Sequence, residues 1–146
     1  MPSDKERFFE LHSYAVIGNT RTKKFPVITY RNLRRMGKKV YPIDLGGRTE
    51  IEGDRAYCNV AELPEPVEGA IVEVKRPETL AAVKAVAAAG IKDVWLHQMS
   101  DTPEAVAFCR EQGANVRYGS CAVMYTNKRL SYHTVHQKLA RLLGKY

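Results

Sequence analysis

The sequence predicts an α/β protein of the Rossmann type, a three-layer sandwich with a mostly parallel sheet of about five strands. Two observations carry this reading. Short apolar runs at 14–18, 40–43, 70–74 and 93–97 alternate with stretches of helical periodicity. Glycine or proline punctuates the junctions, with Pro26, Pro77 and Pro103 opening helices and Gly37, Gly90 and Gly113 stopping them. Strands alternating with helices at this spacing pair in parallel and are covered on both faces.

The elements follow in order. Ser3 with Glu6 forms a capping-box pattern ahead of Phe8, Phe9 and Leu11, which reads as a short docking helix. Residues 14–18 form a buried strand closed by Gly18, and 19–24 a polar, basic loop. Pro26, Val27, Tyr30, Leu33 and Met36 then carry helical spacing to Gly37. The second strand, 40–43, ends at Asp44. Residues 45–54 read as a surface loop, 56–60 as a weak third strand, and 64–66 as a turn. The fourth strand, 70–74, precedes an alanine-rich helix to Ala89. A fifth strand, 93–97, a helix opening at Thr102-Pro103-Glu104, and a last strand at 116–118 follow. Past a core of about 13–125, residues 131–144 predict an extra C-terminal helix. Its apolar stripe is Tyr132, Val135, Leu139, Leu142 and Leu143. That stripe packs within the chain or across a homodimer.

The 146 residues fit one domain, 1–146, and the composition, 45% hydrophobic and 27% charged, is that of a folded soluble protein. No apolar run reaches the roughly 18–20 residues that span a bilayer, and the first residues lack the apolar core of a signal peptide. A cytoplasmic protein without membrane contact is the expectation. Cys58, Cys109 and Cys121 lack C-x-x-C spacing, so neither a disulfide framework nor a zinc site is predicted. His133 and His136 could share a helix face, but no further ligand follows at metal-binding spacing. A net charge of +7 asks for an anionic partner: nucleic acid, acidic lipid or a polyphosphate cofactor.

In open α/β sheets ligands lie beyond the carboxyl ends of the strands. After the first strand come Gly18, Asn19 and Thr20, then Arg21, Lys23 and Lys24. The glycine permits close backbone approach, the following helix start favours phosphate, and the bases add charge pairing. Both the G-x-G-x-x-G fingerprint and the phosphate-loop lysine motif are absent. Asp44 stands where NAD-binding proteins keep an acid for the ribose, and equally where a turn aspartate would. Lys75 and Arg76 begin a helix whose dipole disfavours cations, which makes sense with an anion between them. His97 and Gln98 follow the fifth strand, and Gly119-Ser120-Cys121 the last. His97 has no evident nucleophile partner in the sequence. Cys121 reads either as a small apolar residue lining the sheet edge or as a thiol facing the ligand. Cys58, Cys109 and Trp95 read as core.

The ordered set of strand-then-Gly18, Val40-Tyr41-Pro42-Ile43, Ala61-Glu62-Leu63-Pro64-Glu65-Pro66-Val67, Val74-Lys75-Arg76-Pro77-Glu78, Val94-Trp95-Leu96-His97-Gln98 and Gly119-Ser120-Cys121 resembles a known family. These are the small stand-alone coenzyme A-binding proteins, related to the coenzyme A-binding domain of the succinyl-CoA synthetase alpha subunit. The resemblance covers about residues 13–125. It implies that coenzyme A or an acyl-CoA is the cofactor. Its pyrophosphate and adenosine would lie against the Gly18–Lys24 loop and the ends of the second and fourth strands, at Ile43, Asp44, Val74, Lys75 and Arg76. The pantetheine arm would run toward His97, Gln98 and Cys121, where the Cys121 thiol would meet the coenzyme A thiol and could form a mixed disulfide. Two departures stand out: Ala122 replaces the proline usual after the cysteine, and Asp44-Leu45 replaces asparagine-proline.

The function expected is therefore a non-catalytic or regulatory binding module, with no protein partner identified by the sequence. The chain lacks room for the partner domain and phosphohistidine half that ligation would need. An NAD-dependent oxidoreductase, resting on Asp44, and a nucleic-acid-binding sensor, resting on charge alone, are the alternatives.

Overall fold

A computed structural model describes residues 3–126; the predicted C-terminal helix, His133 and His136 lie outside them. Helix α1 (Asp4–Phe8) starts as the capping box requires: Ser3 Oγ accepts from the Glu6 amide and Glu6 Oε1 from the Ser3 amide, both at 3.1 Å. Then come β1 (Ser13–Gly18), α2 (Val27–Arg35), β2 (Lys39–Asp44) and a two-residue-arm hairpin of β3 (Glu50–Ile51) and β4 (Asp54–Arg55). A 3₁₀ turn (Val60–Glu62) leads to β5 (Gly69–Val72), α3 (Arg76–Ala88), β6 (Asp93–Leu96), α4 (Pro103–Glu111), β7 (Asn115–Arg117) and α5 (Val123–Thr126).

Five strands form one parallel sheet in the order β2-β1-β5-β6-β7. Side chains alternate across it. Ala15, Ile17, Ala70, Val72, Val94 and Leu96 face α3 and α4 in one buried cluster. Tyr14, Val16, Ile71 and Trp95 face the opposite way, into an aromatic layer with Phe8, Phe9 and Tyr125 under α1, α2 and α5. Because both faces are buried, the strands read as continuous apolar runs. This is the predicted three-layer Rossmann-like sandwich.

The chain moves outward from β1 to β2 and then returns to the other side of β1 with β5. The sheet order therefore reverses at β1/β5, which opens a crevice at its carboxyl edge. Pro42 sits in edge strand β2 without loss: the Pro42 carbonyl and Asp44 amide face outward to Tyr57, so the missing Pro42 N–H faces outward too.

The region between β2 and β5 departs from expectation. The expected surface loop at 45–54 instead enters the β3–β4 hairpin at Glu50, which closes at Arg55 and is turned at Glu52 and Gly53, both at positive φ as a two-residue hairpin needs. The expected strand at 56–60 reduces to one parallel bridge, Ile43 with Tyr57, after which the chain turns away. With no sheet there to bury alternate residues, Cys58 is exposed rather than core. Cys109 and Trp95 are buried as expected.

One buried charge locks α1 to the sheet. Arg117, 7% exposed, donates to both oxygens of Asp4 at 3.0 and 3.1 Å, to Asp93 at 2.8 Å, and lies over the Phe8 ring. Removing the guanidinium would leave Asp93 half-paired and a void beside Phe8. Arg117→Ala is expected to lower unfolding stability by about 3 kcal/mol in urea titrations. A loss no greater than a surface substitution would show that α1 docks through its aromatics alone.

Candidate functional site

Two poles of polar chemistry occupy the carboxyl edge of the sheet. The first lies beyond β1 and β2. Asp44, fully buried, accepts four hydrogen bonds: from the Thr20 amide (2.8 Å) and hydroxyl (2.6 Å), and from the Gly46 (2.9 Å) and Arg48 (3.0 Å) amides. Burial alone would raise its pKa, but these donors, led by the Thr20 hydroxyl, outweigh it and hold the carboxyl below its ordinary value. Both oxygens are thus spent inside the protein. Asp44 ties two loops together and is no free acceptor for a ribose hydroxyl, which leaves the NAD reading without its support.

Around that tie sits a cleft of about 360 Å³ between the 19–26 loop and the hairpin. Thr20, Lys23, Lys24, Arg48, Glu50 and Glu52 supply its polar wall, Glu52 being paired with Arg31, and Phe25, Val27 and Ile51 its apolar one. Among the described residues Lys23, Lys24 and Arg48 make no ion pair, so their charge is available to a ligand. Arg48 and Gly46 escaped the sequence reading, which saw only a surface loop. A Cβ on Gly46 would lie 2.7 Å from Thr20 Oγ1 and 2.9 Å from the Arg21 nitrogen, so only glycine lets the two loops touch. Gly18 works similarly: its Cβ would meet Pro26 at 2.7 Å and Phe25 at 2.8 Å. The glycine admits the loop's own return rather than a ligand.

Asn19 points the other way. Its Nδ2 donates to Glu78 at 2.6 Å, and the Thr22 hydroxyl donates to the same carboxylate at 3.0 Å, stapling the loop to the start of α3. Glu78 also accepts from the Lys75 amide at 3.2 Å. The anion at this helix start is therefore Glu78 itself. Lys75 is exposed, and Arg76 turns to Asp101, donating to its carbonyl at 3.1 Å. Ile43 and Val74 are wholly buried core side chains, able to offer a ligand only backbone.

The second pole lies beyond β5, β6 and β7. Glu73, 6% exposed, accepts from the Thr29 hydroxyl at 2.8 Å and faces His97 Nδ1 at 3.0 Å. The same ring hydrogen-bonds the side chain of Cys121, which is half-buried. Burial pulls the His97 pKa down, but the Cys121 contact and Glu73 more than reverse this and push it up to about 9. So the histidine that lacked a partner in sequence has two. Glu73 was missed, although one acid inside the apolar run Ala70-Ile71-Val72-Glu73-Val74 is the signal that marks it. Gln98 is exposed beside Met99, whose backbone adopts φ 79° and whose side chain is 64% exposed. Among the described residues no three His, Cys, Asp or Glu side chains form a metal-ligand group, and no helix is long and apolar enough to cross a membrane.

Comparison with known proteins agrees with this architecture. The family model for the coenzyme A-binding domain matches residues 12–127. A conserved hypothetical protein from Pyrococcus furiosus superposes with TM-score 0.68 at 26% identity, covering 79% of this chain and 99% of its own. A protein from Thermus thermophilus, at 23% identity and TM-score 0.70, covers 95% of this chain and 99% of its own, and shows the shared fold. A dinucleotide-forming acetyl-coenzyme A synthetase from Ca. Korarchaeum cryptofilum matches 77% of this chain with 27% of its own length, at 26% identity and TM-score 0.60. No curated protein sequence matches.

The second pole makes a pH-dependent contribution to stability. The His97 pKa rises on folding from an ordinary 6.5 to about 9, with Glu73 and Cys121 the titratable groups facing it. Its stabilisation is complete below the unfolded value and is lost as pH climbs through the folded one. Between about pH 6 and about pH 10 the wild type should lose roughly 3 kcal/mol more unfolding free energy than His97→Gln. Parallel stability curves for the two would contradict the assignment.

Proposed function

The chain belongs to the coenzyme A-binding domain family, and from that premise we propose that it binds coenzyme A or an acyl-CoA across the two poles of its carboxyl edge. The observation that carries the reading is the cleft in which Lys23, Lys24 and Arg48, none of them in an ion pair among the described residues, outnumber Glu50 and the Arg31-paired Glu52 beside a backbone fixed by Asp44. Three cations around a rigid turn suit the phosphates of a nucleotide. The cleft's apolar wall suits the adenine, and the backbone at Ile43 and Val74 lines the way between the poles. From β2 to β6 is three strand spacings, roughly 14 Å. That span calls for an extended ligand with an anionic end and a thin arm, and coenzyme A has that form. The arm then reaches His97, Gln98 and Cys121.

Lys75 and Arg76 take a secondary part in this reading, screening the ligand from solvent at the start of α3. The chain acts as a binding module for the coenzyme, non-catalytic or regulatory in role. The acetyl-coenzyme A synthetase that shares the fold carries the corresponding unit as about a quarter of a longer chain, which is how such a module serves within a larger enzyme.

Calorimetric titration of the reduced protein with coenzyme A, and with NAD in parallel, tests the proposal. Coenzyme A is expected to bind at micromolar level, about −8 kcal/mol, and NAD not to bind. Lys23→Ala, Lys24→Ala and Arg48→Ala should each weaken binding by roughly tenfold. Lys75→Ala should cost less. Binding of NAD alone, or coenzyme A affinity indifferent to all three cations, would refute it.

A further inference from the structure

The second pole holds more chemistry than a binding edge requires. Glu73 is a carboxylate between two wholly buried residues, Val72 and Val74. Burying a charge there is costly unless it is partnered. Its partners are the Thr29 hydroxyl and the His97 imidazole, and that imidazole hydrogen-bonds the half-buried Cys121. The cysteine is held in place from both sides. The preceding Ser120 accepts from Lys5 Nζ at 2.7 Å, and the following Ala122 amide lies 3.4 Å from His97 Nδ1. The other thiols differ in kind: Cys109 is sealed in the core, where burial pushes its thiol pKa up, and Cys58 is exposed.

We propose that Cys121 is a thiol–disulfide exchange site, with the His97 imidazolium stabilising its thiolate and Glu73 positioning His97, and that its substrates are small disulfides bearing the pantetheine arm. The choice of that arm rests on the coenzyme A reading; the reactivity of the thiol does not. With His97 already an imidazolium at neutral pH, the Cys121 thiol releases its proton to solvent, and Sγ attacks one sulfur of a disulfide R–S–S–R′. A protein–S–S–R bond forms as the S–S bond breaks, and R′–S⁻ leaves and takes up a proton from solvent. The protein thiol is oxidised, R′–SH is the reduced product, and no other reactant is consumed. Glu73 holds the imidazolium beside Sγ throughout.

The test uses the full chain in two backgrounds. Cys58→Ser leaves Cys121 as the accessible thiol; Cys121→Ser leaves Cys58 as an exposed reference. Each is mixed with 2-hydroxyethyl disulfide, which lacks any nucleotide, and separately with coenzyme A disulfide, and adducts are timed by intact mass. With the neutral reagent at pH 7, Cys121 is expected to react about tenfold faster than Cys58. His97→Gln should remove that advantage and make the rate climb with pH where the parent is flat, which a merely structural histidine would not do. Glu73→Gln should act in the same direction; if it fails to fold by circular dichroism, His97→Gln decides. Equal rates for Cys121 and Cys58, or a pH profile unmoved by His97→Gln, overturns the exchange site. A fast neutral reaction with no preference for coenzyme A disulfide overturns the substrate class alone, and calorimetric silence toward coenzyme A would then locate the error in the binding reading.

Discussion

A parallel sheet sealed on both faces leaves its carboxyl edge as the place where chemistry can sit, and every polar group there must be satisfied by its neighbours or by a ligand. That constraint organises the rest of this protein. Each strand ends with a segment that has to cross back over a helical layer, so loops from distant parts of the sequence meet at one edge. Buried carboxylates are the knots: Asp44 gathers the loop after β1 and the turn after β2, and Glu73 gathers α2 and the end of β6. Once these carboxylates are paired internally, Lys23, Lys24 and Arg48 outnumber Glu50 among the charges near the first knot that make no ion pair with described residues. The fold thereby produces a rigid cationic cleft rather than a merely basic surface.

The two knots show how one functional group takes opposite parts. Asp44 is met by neutral donors of backbone and hydroxyl, so its charge is absorbed locally and serves geometry. Glu73 is met by one neutral donor and one titratable ring, so its charge is passed on to His97 and serves chemistry. Burial is similar for both; the identity of the partner decides.

Much of this was legible in the sequence because local rules and global fold agree. The capping box at Ser3 and Glu6, the prolines that open α3 and α4, and the apolar strand runs have a single physical reading. The carboxyl-edge residues were legible because topology places them there whatever their contacts. Contacts themselves were not. Asp44 satisfies the same turn grammar whether its oxygens face a ribose or Thr20, and only the folded loop decides. Gly18 looked like a ligand-approach glycine and proved to admit Phe25 and Pro26. Cys58 sat in a run whose β-branched and aromatic neighbours resemble a strand, but β2 offers that run one bridge and no ladder. Arg117, on a strand of three residues, gave no sign that Asp4 would close over it, since their pairing spans nearly the whole chain.

The poles are also joined through a single helix. The start of α2 borders the cationic cleft at Phe25 and Val27, and one half-turn on, Thr29 donates to Glu73 beneath His97. A short polar chain of Thr29, Glu73, His97 and Cys121 thus runs from α2 to the thiol. It lies under the sheet edge, shielded from solvent along most of its length, where hydrogen bonds between charged groups are strong and hold their geometry.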